Sequence, residues 1–160
     1  MSATQASTSF AADVGIRDAA AADVDAISQL IIETLRVSNA RDYPPEIIAR
    51  LVESFRPDQV SVHLTEREVV VAERDARVVA TGSLDEAMIR AVFVAPDAQN
   101  KGIGRRVMQE LQRRACARSI KTVCVQSSIT AERFYSKLGF MVVGERYNDH
   151  ERTIVMEREP

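Results

Sequence analysis

Apolar residues recur along this chain with two periods, and the changes from one period to the other mark out its elements. Val14-Gly15-Ile16-Arg17 predicts a short first strand. From about Ala22, Val24, Ile27, Leu30, Ile31 and Leu35 fall at helical spacing, and Asp23 and Asp25 suit the positive end of that helix's dipole. Pro44 and Pro45 interrupt the chain, and Pro45 is placed to start a second helix through Ile47, Ile48, Leu51 and Val52. Pro57 to Arg67 carries too weak a pattern to assign. Val69 to Ala72 and Val78 to Ala80 then read as strands joined by an Arg74-Asp75-Ala76-Arg77 turn. A further strand runs from about Ala87 to Val94 and stops at Pro96. Its run Ala91-Val92-Phe93-Val94 is apolar on both faces, which predicts a central place in a sheet. A long helix opens near Gly102, with Ile103, Val107, Met108, Leu111 and Ala115 inward and Arg105, Arg106, Gln109, Gln112 and Arg113 outward. Lys121 to Val125 is a short buried strand, and Ala131 to Leu138 a short helix stopped by Gly139. Met141 to Val143 and Ile154 to Met156 close the sheet. Helices interleaved with strands, and hairpins at both ends, make a mixed α/β sandwich.

Length makes this one domain: residues 1–12, rich in Ser, Thr, Ala and Gln, read as a disordered tail and 13–160 as the folded unit. A net charge of -2 and a pI near 5.8 give no general attraction to nucleic acid or to an anionic membrane, so any anion site must be local. Arg113, Arg114 and Arg118 lack the aromatic platform of a nucleic-acid surface. No apolar run reaches the ~20 residues of a membrane span, and Met1 to Ala12 lacks the basic start and apolar stretch of a signal peptide. Cys116 and Cys124 are too few and too far apart for a metal knuckle; buried thiols, one in a helix and one in a strand, are expected, with no metal. A cytoplasmic protein is the expectation, with a homodimer allowed.

The chemically informative stretch is Gln99-Asn100-Lys101-Gly102-Ile103-Gly104, between a buried strand and a long helix. Glycines at this spacing let the backbone approach a ligand where a Cβ would collide. The unpaired N–H groups of a helix start favour an anion there. Lys101, Arg105 and Arg106 crowd the same end, where each cation is unfavourable by roughly 0.3–1 kcal/mol against the dipole. Three make sense if a polyanion such as a pyrophosphate is bound; the alternative is a glycine turn beside a solvated basic face. A dinucleotide fingerprint would need a third glycine at Val107, and a P-loop would need Lys then Ser or Thr where Arg105 and Arg106 stand.

Val92-Phe93-Val94-Ala95-Pro96 followed by Gln99 to Gly104 resembles motif A of the GNAT acetyltransferases, whose signature is Gln/Arg-x-x-Gly-x-Gly/Ala. Ala131-Glu132-Arg133-Phe134-Tyr135-Ser136-Lys137-Leu138-Gly139-Phe140 is similar to their motif B, at the right separation. The resemblance spans about Val14 to Arg158 and implies a mixed, mostly antiparallel central sheet flanked by helices, with acetyl-coenzyme A as co-substrate. It implies that backbone groups of Val92, Phe93 and Val94 hold the pantetheine arm like an added strand. Gln99, Asn100, Lys101, Gly102, Ile103, Gly104 and Arg105 would cradle the pyrophosphate. Tyr135 would protonate the departing thiolate, as its reference pKa of about 10 allows. The alternative for Tyr135 is simple packing of the last helix, the role expected of Phe134 and Phe140.

Two departures from the family pattern bear on chemistry. Relatives carry an Asn before motif B that touches the cofactor; Thr130 stands there and can replace one of its hydrogen bonds. The glutamate base of histone-acetylating branches is Met88 here. Glu86, two residues before it on the same strand face, and Asp85 are the alternative bases, unless they are merely solvated. His63 and His150 are expected to be structural or exposed, His150 in the last hairpin turn. The implied reaction is direct attack of an amine on the thioester in a ternary complex, since neither cysteine has a plausible base beside it. The amine belongs to a small molecule, peptide or protein. A non-catalytic acyl-CoA-sensing module is the rival reading.

Overall fold

The computed structural model describes residues 13–148 and 151–160. The expected tail and His150 lie outside the described residues. Strand β1 (Gly15–Asp18) leads through a 3-10 turn, Ala21–Asp23, into helix α1 (Val24–Val37). At that junction the Asp23 carboxylate accepts the Ala20 N–H (2.7 Å) and a two-pronged bond from Arg17 (2.8 and 2.9 Å). Arg17 holds the Asp23 carboxyl below the usual carboxylate range. Helix α2 (Pro45–Glu53) begins at the proline that fits a first helical position. The unassigned segment forms helix α3 (Pro57–Glu66). Only Val60 in it is fully buried, with Leu64 packed behind, so its apolar stripe is too thin to read in sequence.

Strands β2 (Glu68–Arg74), β3 (Arg77–Asp85) and β4 (Met88–Val94) form a meander. Asp75 (φ 50°) and Ala76 (φ 62°) make the left-handed two-residue turn that matches strand twist. Helix α4 (Ile103–Ala117), strand β5 (Val123–Ser127), helix α5 (Glu132–Lys137), and strands β6 (Met141–Asn148) and β7 (Glu151–Arg158) complete the described chain. The sheet order is β1-β2-β3-β4-β5-β7-β6, antiparallel throughout except where β4 meets β5. Gly82 lies under α4, where an added Cβ would come within 2.9 Å of Val107 and 3.0 Å of Leu111. Helices α1 and α3 cover the other face, around Thr81 and Ser83.

The expectation of two buried thiols is corrected. The predicted inward stripe of α4 is buried, but Cys116, one residue past Ala115, turns about 100° to the outside and is exposed. Cys124 is half-buried, its thiol near Glu157 (3.5 Å). Met141, Val142 and Val143 do close the sheet, on the edge strand β6, where they are 73%, 51% and 54% exposed.

The feature that matters for function is in β4. Register runs from Ser83↔Arg90 to Thr81↔Phe93, so Ala91 and Val92 together oppose Gly82, with Ala91 at φ 53°. Such a bulge bends its strand. β4 pairs with β5 only at Met88↔Cys124 and Ile89↔Val125, and beyond the bulge the ladder between them ends. Burial follows: Ile89 is buried, whereas Ala91 to Val94 are only half-buried despite the two-sided apolar pattern.

Candidate active site

Between the parted ends of β4 and β5 lies a cleft of about 530 Å³. Val92, Phe93 and Val94 line one side; Gln126 and Ser128, at the end of β5, line the other. The C-terminal end of α1, the Gln99–Arg105 loop and α5 close it around.

At one corner, α4 begins on Gly102, which is left-handed (φ 83°) and gives no side-chain cap; no acidic residue occupies the first turn. Asn100 is also left-handed (φ 61°). The helix start therefore presents backbone N–H groups to the cleft with nothing negative of its own to satisfy them, the geometry of an anion seat. A Cβ on Gly104 would stand 3.2 Å from Phe134 and 3.3 Å from Val94, so glycine lets the loop, α5 and β4 close on one another. Of the three basic residues expected here, only Arg105 lines the cleft. Arg106 donates instead to the Val14 carbonyl at the start of β1, and Lys101 acts on the Asp97 carboxylate. Successive helical residues point about 100° apart, so adjacent arginines cannot share one seat. Gln99 lines the cleft, but its side-chain amide is engaged within the protein: it donates to Val94 O (3.0 Å) and Ser38 Oγ (3.1 Å), holding the loop against β4 and α1.

Tyr135, on α5, also lines the cleft and is 6% exposed. Its ring packs on Phe134 (centroids 5.1 Å apart) and Phe140 (5.7 Å). Burial alone pushes its phenol well above the ordinary value, so the hydroxyl keeps its proton and can only donate it.

Thr130 lines the cleft but is already engaged, its hydroxyl donating to Asp42 (2.7 Å). Ser128, not singled out in the sequence, lines the same wall and accepts the Ala131 N–H (3.1 Å). Asp85 and Glu86 are not among the lining residues. Glu86 is exposed on the β3–β4 turn (φ 52°), and Asp85 accepts from Arg90 (3.1 Å). His63 packs edge-on against Phe55 (5.8 Å), which in turn meets Phe93 (5.5 Å); burial lowers its pKa, leaving it neutral behind the floor. The carboxylate that does line the cleft is Glu151, the first residue of β7. In sequence it sits in an acidic turn-like run with nothing to mark it; only the folding of β7 beside β5 brings it here.

Among the described residues no group of three metal-ligating side chains occurs, and no helix is long and apolar enough to cross a membrane. Arg113, Arg114 and Arg118 are taken up by Glu110, Asp18 and Glu68.

A bulged central strand parts from its parallel neighbour over a glycine-opened helix start whose free N–H groups suit an anion. The family model for the acetyltransferase (GNAT) domain matches residues 39–159, and the chain belongs to that family. The fold is shared with a GCN5-related N-acetyltransferase from Rhodopseudomonas palustris (TM-score 0.86, 18% identity, 91% of this chain and 95% of that one). It is shared also with the PaiA N-acetyltransferase of Thermoplasma acidophilum, solved with coenzyme A (0.79, 17%, 92% and 99%). The yncA protein of Salmonella typhimurium, solved with acetyl-CoA, is a third (0.63, 19%, 91% and 93%).

Proposed function

We propose that this chain transfers the acetyl group of acetyl-CoA to a primary amine by direct attack in a ternary complex. The observation that carries the reading is the cleft itself: two parallel strands parted beyond a bulge, with an anion seat at one corner and a buried phenol in its lining. The Gly102–Arg105 helix start suits the pyrophosphate, and Gly104 lets α5 and β4 pack close against that start. Val92, Phe93 and Val94 would run alongside the pantetheine arm, although the Val94 carbonyl is already held by Gln99 and Thr34. Bound there, acetyl-CoA supplies an activated thioester. Tyr135 holds the proton that the leaving sulfur needs, because burial keeps its phenol protonated.

The rival, an acyl-CoA sensor, binds the same ligand without transfer. Free thiol release from acetyl-CoA, measured with and without a panel of primary amines, separates the two. Amine-dependent release is expected. Stabilisation by acetyl-CoA with no release for any amine would favour the sensor, and no stabilisation at all would remove both readings.

A further inference from the structure

Only two charged side chains are among the described residues lining the cleft: Arg105 at the anion seat and Glu151 on β7. Residues of a strand that are two apart share a face, so Glu151 and Thr153 line the cleft together, past the end of the β5 ladder at Ser127↔Ile154. Helix α2 passes the same region. It brings Arg50 near enough to act on Glu151, and Leu51 and then Phe55 form an apolar wall of the cleft. The cleft is thus bipolar along its length, cationic where a pyrophosphate fits and anionic beside an apolar wall.

We propose that Glu151 receives the acceptor, which is a primary ammonium carried on an apolar stem, and removes the proton that blocks its attack. This rests on the acetyl-transfer reading above. An ammonium has no lone pair; its proton passes to the Glu151 carboxylate and on to solvent. The freed nitrogen pair then forms the C–N bond to the acetyl carbon as the C–S bond breaks, its electrons leaving on sulfur, which takes the Tyr135 proton. The second proton shed as the amine becomes an amide restores the phenol, so charge and protons balance. Burial raises the Glu151 carboxyl above its ordinary value while Arg50 opposes the rise, which favours a base that can also give its proton up. The other groups around it are Tyr43 and Asp42 before α2, Tyr135 on α5, and Arg152, which pairs with Glu145 rather than facing inward.

The test uses the full chain, with phenethylamine and its uncharged counterpart 2-phenylethanol as probes, and the variant Glu151→Gln. Calorimetric titration of the protein, alone and with coenzyme A, should show wild type preferring the ammonium at least about tenfold, as a charge-assisted bond allows. In Glu151→Gln that preference should shrink to within about twofold. Equal weakening of both probes would mean that Glu151 only braces the wall, and an unchanged preference would mean the ammonium is held elsewhere; either overturns the proposal. The pH profile adds a readout that a bracing role would not move. Wild-type kcat/KM for phenethylamine should be level from where the Glu151 carboxyl has ionised up to the amine's own pKa of about 10, whereas the variant's should rise tenfold per pH unit because it must wait for free amine. A level profile in the variant would overturn the base role. If acetyl-CoA neither binds nor turns over, the acetyl-transfer reading fails, yet the ammonium preference of the protein alone still decides whether Glu151 is the cation's partner.

Discussion

The side chains that matter here are sorted by burial more than by type. Tyr135 keeps its proton because the apolar packing of Phe134 and Phe140 makes its charged form costly. Phenylalanine keeps those ring contacts and removes the proton, so Tyr135→Phe is expected to lower kcat by about 10²–10⁴-fold with acetyl-CoA affinity nearly unchanged. Steady-state kinetics and a binding titration check this, and turnover within about threefold of wild type would assign the donor elsewhere. Gly82 illustrates the opposite constraint, a lack of room. Gly82→Ala would drive a methyl against Val107 and Leu111, both fully buried. Overpacking of this kind costs about 1–3 kcal/mol. At ~2–4 °C per kcal/mol for a chain this size, the melting temperature should fall by several degrees.

At the scale of elements, junctions decide more than interiors. The β2–β3 turn holds Ala76 in a left-handed conformation that costs an L residue roughly 1–2 kcal/mol, part of which Gly would return as chain entropy. Ala76→Gly should therefore raise stability by about 0.5–1 kcal/mol, seen as a modest rise in melting temperature. The start of α4 uses the same conformation for a different end. Gly102→Ala strains a φ of 83° in the segment that presents the N–H groups, so it should weaken acetyl-CoA binding more than it weakens the apo fold. Comparing melting temperatures with and without ligand distinguishes the two losses. Tyr43 joins elements across the molecule: its hydroxyl accepts the Ile129 N–H (2.8 Å) after β5 and donates to Arg152 O (3.4 Å) on β7.

For the molecule as a whole, ligand and proton binding are both visible as stability. Acetyl-CoA at one hundred times its dissociation constant should add about 2.7 kcal/mol. Acid should act through the carboxylates that tie α4 to its surroundings. Arg113 and Arg114 hold the Glu110 carboxyl down to about 2, and Arg114 also reaches Asp18 on β1. Because the folded value lies below that of the unfolded chain, near 4.3, this contribution is complete above that range and is lost as pH falls toward 2. Glu110→Gln should flatten the acid limb of a stability–pH curve, and a curve parallel to wild type would assign that limb to other carboxylates.

What the chain determined by itself is local. Period and punctuation were enough for the inward stripe of α4, the Asp75-Ala76 turn and the proline start of α2, because each depends on neighbours a few residues away. The Gly102-x-Gly104 turn and Tyr135 were legible for the same reason, as short motifs with a geometric requirement. Tertiary structure decided the rest. Gln99 opens the motif and Arg106 follows it by two residues, yet their side chains answer to β1, β4 and α1. The bulge at Ala91 depends on Gly82 across the ladder, and it turns an apolar strand into one wall of a cleft. Glu86, next to the central strand in sequence, ends on an exposed turn, whereas Glu151, sixteen positions after Tyr135, enters the same cleft because β7 inserts between β5 and β6. Strand order brings together residues far apart in the chain, and no local pattern of apolar and polar positions encodes it.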